Sequence, residues 1–128
     1  MLIIIAHGSP KDAWQESVEE LLRSLQEEAG EDRVHLAYLR HGSPTMEDVL
    51  AEVITAGATK IRILPLFLAD GGHVTADIRP LVDEVRSRHG QIDMELLPAV
   101  GQHPLFRDML LELISGPADR EQVRSENP

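Results

Sequence analysis

Apolar positions along the chain fall into two kinds of segment that alternate from end to end. Leu2 to Ala6 is an unbroken apolar run rich in β-branched Ile, the pattern of a strand buried on both faces of a parallel sheet. Trp14, Val18, Leu21, Leu22 and Leu25 then recur at helical spacing, which predicts one buried helix face ending at a Gly30 cap. Val34 to Leu39 reads as a second strand. Thr45, with Asp48 three positions on, resembles a helix start; Met46, Val49, Leu50, Val53 and Ile54 form its stripe, and Gly57 ends it. Ile61 to Leu68 is a third strand, and Pro65 predicts that its hydrogen-bonded part stops near Leu64 to Leu66. Thr75 can cap a third helix carrying Ile78, Leu81, Val82 and Val85, with Pro80 either kinking it or marking its effective start. Ile92 to Leu97 is the fourth strand, and Leu105, Met109, Leu110, Leu113 and Ile114 line a last helix.

This alternation implies an α/β fold: a parallel sheet with helices on both faces, joined by right-handed crossovers. Four such units suit a flavodoxin-like, four-stranded order 2-1-3-4 better than a barrel, which needs about 250 residues. Residues 1–116 are expected to form one domain. Residues 117–128 are polar and aperiodic, the composition of a disordered tail.

In a sheet of this order strands 1 and 3 are neighbours, and ligands bind beyond the carboxyl ends of the strands where the order reverses. His7 ends strand 1 and His73 follows strand 3, so two histidines are expected at that place. His7-Gly8-Ser9-Pro10 also reads as strand-to-helix grammar, with Gly for the turn, Ser as the cap and Pro in the first helical turn. The repeat of this tetrapeptide as His41-Gly42-Ser43-Pro44 favours that plainer reading, but the grammar leaves the His unexplained. Gly71 and Gly72 before His73 can turn the chain or cradle an anion. The other histidines are weaker candidates: His35 within strand 2, His89 at a basic helix end and His103 before Pro104.

Charge and composition then narrow the chemistry. With 12 Lys+Arg against 22 Asp+Glu the formal charge is −10, which argues against nucleic acid as a partner. No apolar run approaches the ~20 residues of a membrane span, and the start has no basic region of a signal peptide. The chain has no cysteine, so thiolate zinc sites and thiol nucleophiles are excluded, and a cytoplasmic location is expected. Two neutral imidazoles without sulfur suit a borderline divalent ion such as Co²⁺, Fe²⁺, Ni²⁺ or Zn²⁺. Arg40-His41-Gly42 offers a different chemistry, because Arg-His-Gly also opens the histidine phosphatases.

Ile4 to Ser9, Ala37-Tyr38-Leu39 and above all Leu64-Pro65-Leu66-Phe67-Leu68-Ala69-Asp70-Gly71-Gly72-His73-Val74 resemble the small single-domain class II chelatases. These form the sirohydrochlorin cobaltochelatase/ferrochelatase family of tetrapyrrole biosynthesis, in its small CbiX type. Asp77-Ile78, Pro80-Leu81 and Pro98 to Pro104 extend the likeness, which covers about residues 1 to 114. The resemblance implies a lyase that inserts a divalent metal, Co²⁺ first and Fe²⁺ or Ni²⁺ as alternatives, with no organic cofactor. It implies His7 and His73 as the metal-handling and catalytic pair, with Ser9, Arg40, Gly71, Gly72 and Arg79 toward the tetrapyrrole. Where the family has a Glu after strand 2, this chain has Arg40 beside His41, so either His41 is a third ligand or Arg40 takes a substrate carboxylate. Lys11 is a further candidate cation, and Phe67, Phe106, Trp14, Tyr38, Leu66, Leu68 and Met46 are candidate apolar contacts. The family's small members pair, which implies a homodimer. A histidine-phosphatase-like hydrolase and a non-catalytic metal or tetrapyrrole carrier are the other readings.

Overall fold

A computed structural model describes residues 1–9, 12–69 and 72–116, apart from the side chains of Asp12 and His73 to Thr75. Its elements run β1 (Leu2–Ala6), α1 (Asp12–Ala29), β2 (Val34–Tyr38), α2 (Met46–Thr55), β3 (Lys60–Pro65), α3 (His73–Arg88), β4 (Asp93–Leu96), the short 3₁₀ turn η1 (Val100–Gln102) and α4 (Pro104–Ser115). The four strands form one parallel sheet in the order β2-β1-β3-β4. Each of the four long apolar runs has become a strand, and the expected order is the one observed. The 117–128 tail lies outside the described residues.

The sheet has an apolar layer on each face. Ile3, Ile5, Ala37, Ile61, Ile63 and Met94 point to one side and pack with Met46, Val49, Leu50 and Val53 of α2 and Ile78 and Val82 of α3. Ile4, Ala6, Val34, Leu36 and Tyr38 point to the other and meet Val18, Leu22 and Leu25 of α1. The period-2 alternation of a strand produces this division from runs that are apolar throughout. Among the described residues no charged or polar residue is fully buried, and no helix is long and apolar enough to cross a membrane.

Four local expectations need correction. Trp14 and Leu21 do not face the sheet; they are 40% and 44% exposed on a flank of α1. The last helix buries none of its side chains, although all its apolar positions are at helical spacing. Thr75 does not start α3, whose N-terminal boundary is Gly72 at φ +89°, a conformation glycine adopts without strain. Pro80 neither begins nor ends that helix. It lies inside it, exposed, where water can take the carbonyl that its missing N–H leaves free. The expected start of α2 is the one observed: Thr45 caps it in a reciprocal box with Asp48, and the Ser43–Pro44 bond before it is cis.

Candidate metal and tetrapyrrole site

The carboxyl ends of β1 and β3 lie side by side, because Ile5 is paired with Pro65. The parallel ladder runs on past the strand ends: Leu39 N donates to Ala6 O at 2.8 Å, Arg40 N to His7 O at 2.9 Å and Leu66 N to Ile5 O at 2.8 Å. His7 therefore leaves β1 held by its own carbonyl, with its imidazole exposed. That ring meets Phe67 edge-on, with centroids 5.9 Å apart and planes at 79°. His73 is the first residue of α3, directly after the turn that follows β3. The fold thus brings the chain at both histidines to one end of adjacent strands. The His73 side chain and Gly71 fall outside the described residues, as do Lys11 and Asp70.

The loop after β2 is locked onto the loop after β1. Gly8, at φ +91°, lies so close to Arg40 that a Cβ there would sit 1.5 Å from the Arg40 carbonyl oxygen. Gln15 of α1 donates through Nε2 to Ser9 O at 3.0 Å and to His41 O at 2.7 Å, tying the two loops together. His41 is exposed and held at φ +50°, the left-handed region that non-glycine residues rarely adopt. Gly42 is pressed against the Tyr38 ring, 2.6 Å from where its Cβ would be. Hence His7, Ser9, Arg40 and His41 share one rim.

Arg40 reaches across to Asp77 of α3, with Nη2 to Oδ2 at 3.3 Å. Arg79 is exposed, two residues from Asp77 and so turned about 200° from it around the helix. The two arginines do not form one cationic cluster. Met46 and Tyr38 are also withdrawn from the rim, since both are at most 2% exposed in the core. Burial and the neighbouring Glu19 carboxylate, which the hydroxyl meets at 3.4 Å, raise the Tyr38 phenol above its ordinary value. Leu68 is exposed, and Leu66 and Phe67 are half-buried. His103 is structural: its Nδ1 accepts from Leu105 N at 3.1 Å and caps α4.

Among the described residues no three His, Asp or Glu side chains are grouped as a metal cage. The rim is open, with imidazole on one side and a guanidinium on the other. It can hold a cation loosely and an anionic group beside it. Gln15, Asp77 and Gly101 took no part in the sequence reading as site residues, and Phe67 entered it only as a candidate apolar contact of the tetrapyrrole. Asp77 and Phe67 lie in or beside the motif from Leu64 to Val74, so their nearness in sequence was a usable signal. An amide on a helix such as Gln15 carries none.

A groove of about 310 Å³ lies elsewhere, at the outer edge of β2, between Glu19, Gln26, His35, Tyr38 and Glu52. His35 has the buried Nε2 that no partner satisfies. The groove reaches Tyr38, Ser43 and Pro44 at the end of β2 but shares none of the residues of the rim.

The CbiX family model matches residues 1–116. The chain is 30% identical over 112 residues to the sirohydrochlorin cobaltochelatase of Methanosarcina acetivorans, covering 86% of each. It is 26% identical over 113 residues to the chloroplastic sirohydrochlorin ferrochelatase of Arabidopsis thaliana, covering 88% of this chain and 50% of that one. A solved CbiX protein from Marinobacter aquaeolei VT8 shares the fold, with a TM-score of 0.74 and 24% identity over 93% of this chain and 97% of that one. With its model matched across every described element, the chain belongs to the CbiX family.

Proposed function

We propose that this protein is a sirohydrochlorin chelatase, a lyase that inserts a divalent metal into a tetrapyrrole. The observation that carries the reading is His7, exposed at the end of β1 directly beside the strand that leads to His73, in a chain of this family. Insertion exchanges M²⁺ and the protonated macrocycle for the metallated ring and two protons. His7 and His73 hold the incoming ion while it sheds water, and neutral imidazole accepts the pyrrole protons as the ring nitrogens replace it. An ion that must be given up is better served by an open rim than by a closed cage, since a full ligand set would retain it.

Arg40 supplies the charge that an acidic chain otherwise lacks toward a poly-carboxylate. Its pairing with Asp77 is between side chains 61% and 39% exposed, and exposed pairs contribute about 0–1 kcal/mol, so a substrate carboxylate can displace Asp77 at little cost. Ser9, Gly71 and Gly72 complete the substrate side. His41, fixed on the same rim by Gln15, acts as a third and weaker metal contact. Cobalt is the first candidate metal, with ferrous iron and nickel following. Two copies pair to form the working unit, and the protein acts in the cytoplasm.

The test is absorbance-monitored insertion into sirohydrochlorin, run in parallel with Co²⁺, Fe²⁺ and Ni²⁺. Acceleration over the uncatalysed reaction that is lost in His73→Ala supports the reading. Binding of metal and tetrapyrrole without acceleration makes the protein a carrier instead. Phosphate release from a phosphoester that depends on His41 and not on His73 would point to the phosphatase chemistry.

A further inference from the structure

The rim holds one carboxylate whose charge the protein itself takes up. Among the described residues Asp77 has a single ion-pair partner, the Arg40 guanidinium. Arg40 follows β2, Asp77 belongs to α3 after β3, and β1 lies between those two strands. The pair therefore bridges the end of β1, where Arg40 N donates to His7 O. Backbone contacts fix the rest of the rim. Gly8 lies against the Arg40 carbonyl on one side of His7. On the other, Gly101 N donates to Phe67 O at 2.9 Å, and a Cβ on Gly101 would be 1.7 Å from the Leu68 oxygen. The Arg40–Asp77 bridge, in contrast, is made by side chains 61% and 39% exposed and can be exchanged without moving any backbone.

Its place in α3 gives Asp77 a second use. His73 and Asp77 are four residues apart in one helix, and positions i and i+4 stand about 5–6 Å apart on one face. That is the spacing from which two residues of a helix hold one divalent ion. The contact with Arg40 turns this face to the rim. While it lasts, a cation approaching Asp77 meets the guanidinium as competitor and as like charge.

We propose that Asp77 is a metal-binding residue held in reserve, released when a carboxylate of the tetrapyrrole takes its place on Arg40. The proposal rests on the chelatase reading above and gives the order in which its parts act. Without substrate, imidazoles hold the ion weakly and Arg40 holds Asp77. An incoming carboxylate exchanges with Asp77 on the guanidinium, like group for like group. Only an ion pair is traded, and the freed carboxylate replaces a water on the metal. Two imidazoles and a carboxylate suit ferrous iron and similar ions and leave positions open for ring nitrogens. The ion is thus gripped only when a macrocycle is present to receive it, and Arg40 recovers Asp77 as the product leaves. Linkage makes the coupling reciprocal: bound metal draws Asp77 from Arg40 and favours the substrate by the same factor.

The test compares wild type, Arg40→Leu, Asp77→Asn and the double variant, with Co²⁺ binding to the substrate-free protein measured by calorimetry and by cobalt visible absorption. Arg40→Leu frees Asp77 without substrate and is expected to tighten Co²⁺ about tenfold, a usual size for coupled sites. In the Asp77→Asn background the same change is expected to have no effect, because no carboxylate remains to be freed. An equal gain in both backgrounds reports only the lost positive charge and overturns the proposal. Insertion kinetics give the second readout. Asp77→Asn is expected to leave the Co²⁺ dissociation constant of the free protein unchanged, yet raise the KM for Co²⁺ about tenfold at saturating sirohydrochlorin. Equal losses in both measurements make Asp77 a ligand before substrate arrives and overturn the exchange, as does a loss in neither. The binding measurements need no turnover, so the two readings fail separately. No gain in Arg40→Leu, beside insertion that depends on His73, removes the exchange and keeps the chelatase. The expected gain in a protein that inserts no metal keeps the release of Asp77 and removes the chelatase.

Discussion

The chain writes His-Gly-Ser-Pro twice, at residues 7 to 10 and 41 to 44, and folds the two differently. After β1 the positive φ falls on Gly8, the glycine backbone lies against Arg40, and the histidine ring is presented beside Phe67. After β2 the positive φ falls on His41 itself, the glycine is pressed on the Tyr38 ring, and Thr45 rather than Ser43 caps the helix. The difference lies in what each loop meets. β1 is an inner strand with neighbours on both sides, so its loop is pinned by β2's continuation and faces β3's. β2 is an edge strand, so its loop folds back on its own strand, where Tyr38 N donates to Pro44 O at 2.9 Å. A local motif therefore fixes the presence of a turn, and the neighbouring strands fix its form.

The largest effect expected from disturbing this comparison is at the glycines. Gly8→Ala forces a Cβ into the Arg40 backbone at a positive φ, and a loss of about 3 kcal/mol or more is expected in urea unfolding. Gly42→Ala presses only on the Tyr38 ring, and about 2 kcal/mol is expected because a side chain can give where a backbone cannot. Equal losses would show that the two loops are fixed in the same way. Next come the histidines themselves. In steady-state insertion assays His7→Ala should slow metal insertion by roughly 100-fold, the lower range for a lost acid–base group, and His41→Ala by about tenfold. An unchanged rate in His41→Ala would remove it from the metal set.

The smallest effect concerns Tyr38, the floor of the second loop. Its phenol is raised in the folded state, so folding favours the protonated form. That contribution is complete below the unfolded tyrosine value of about 10 and is lost as pH rises from there through the folded value. Stability should accordingly fall more steeply above pH ~10 in the wild type than in Tyr38→Phe. Coincident alkaline profiles would show that the hydroxyl has no share in it.

Much of the fold was legible because β-branched apolar runs have few alternatives: Leu2 to Ala6 can be buried on both sides only within a sheet. The capping box at Thr45 and Asp48 was legible for a similar reason, since it is made from residues three apart. Periodicity failed at Trp14, Leu21 and α4, where apolar residues are exposed. It reports that a face is apolar without saying what covers it. The site was half legible. His7 was found from its place at a strand end and Arg40 from the family resemblance, but the Arg40–Asp77 pair joins residues 37 positions apart and the clamp from Gln15 spans 26. No local pattern encodes such contacts.

The sequence by itself determined the alternation of strand and helix, the division of each strand between two faces, and the placing of His7 and His73 after neighbouring strands. These follow from residue volume, branching and a period of two, which act within a few residues. Only the tertiary structure decided how each of two identical tetrapeptides turns, which arginine borders the rim, and that α4 is left uncovered. Each of those depends on backbone meeting backbone across the sheet, as where Gly8 meets Arg40, and close packing there leaves one arrangement free of overlap.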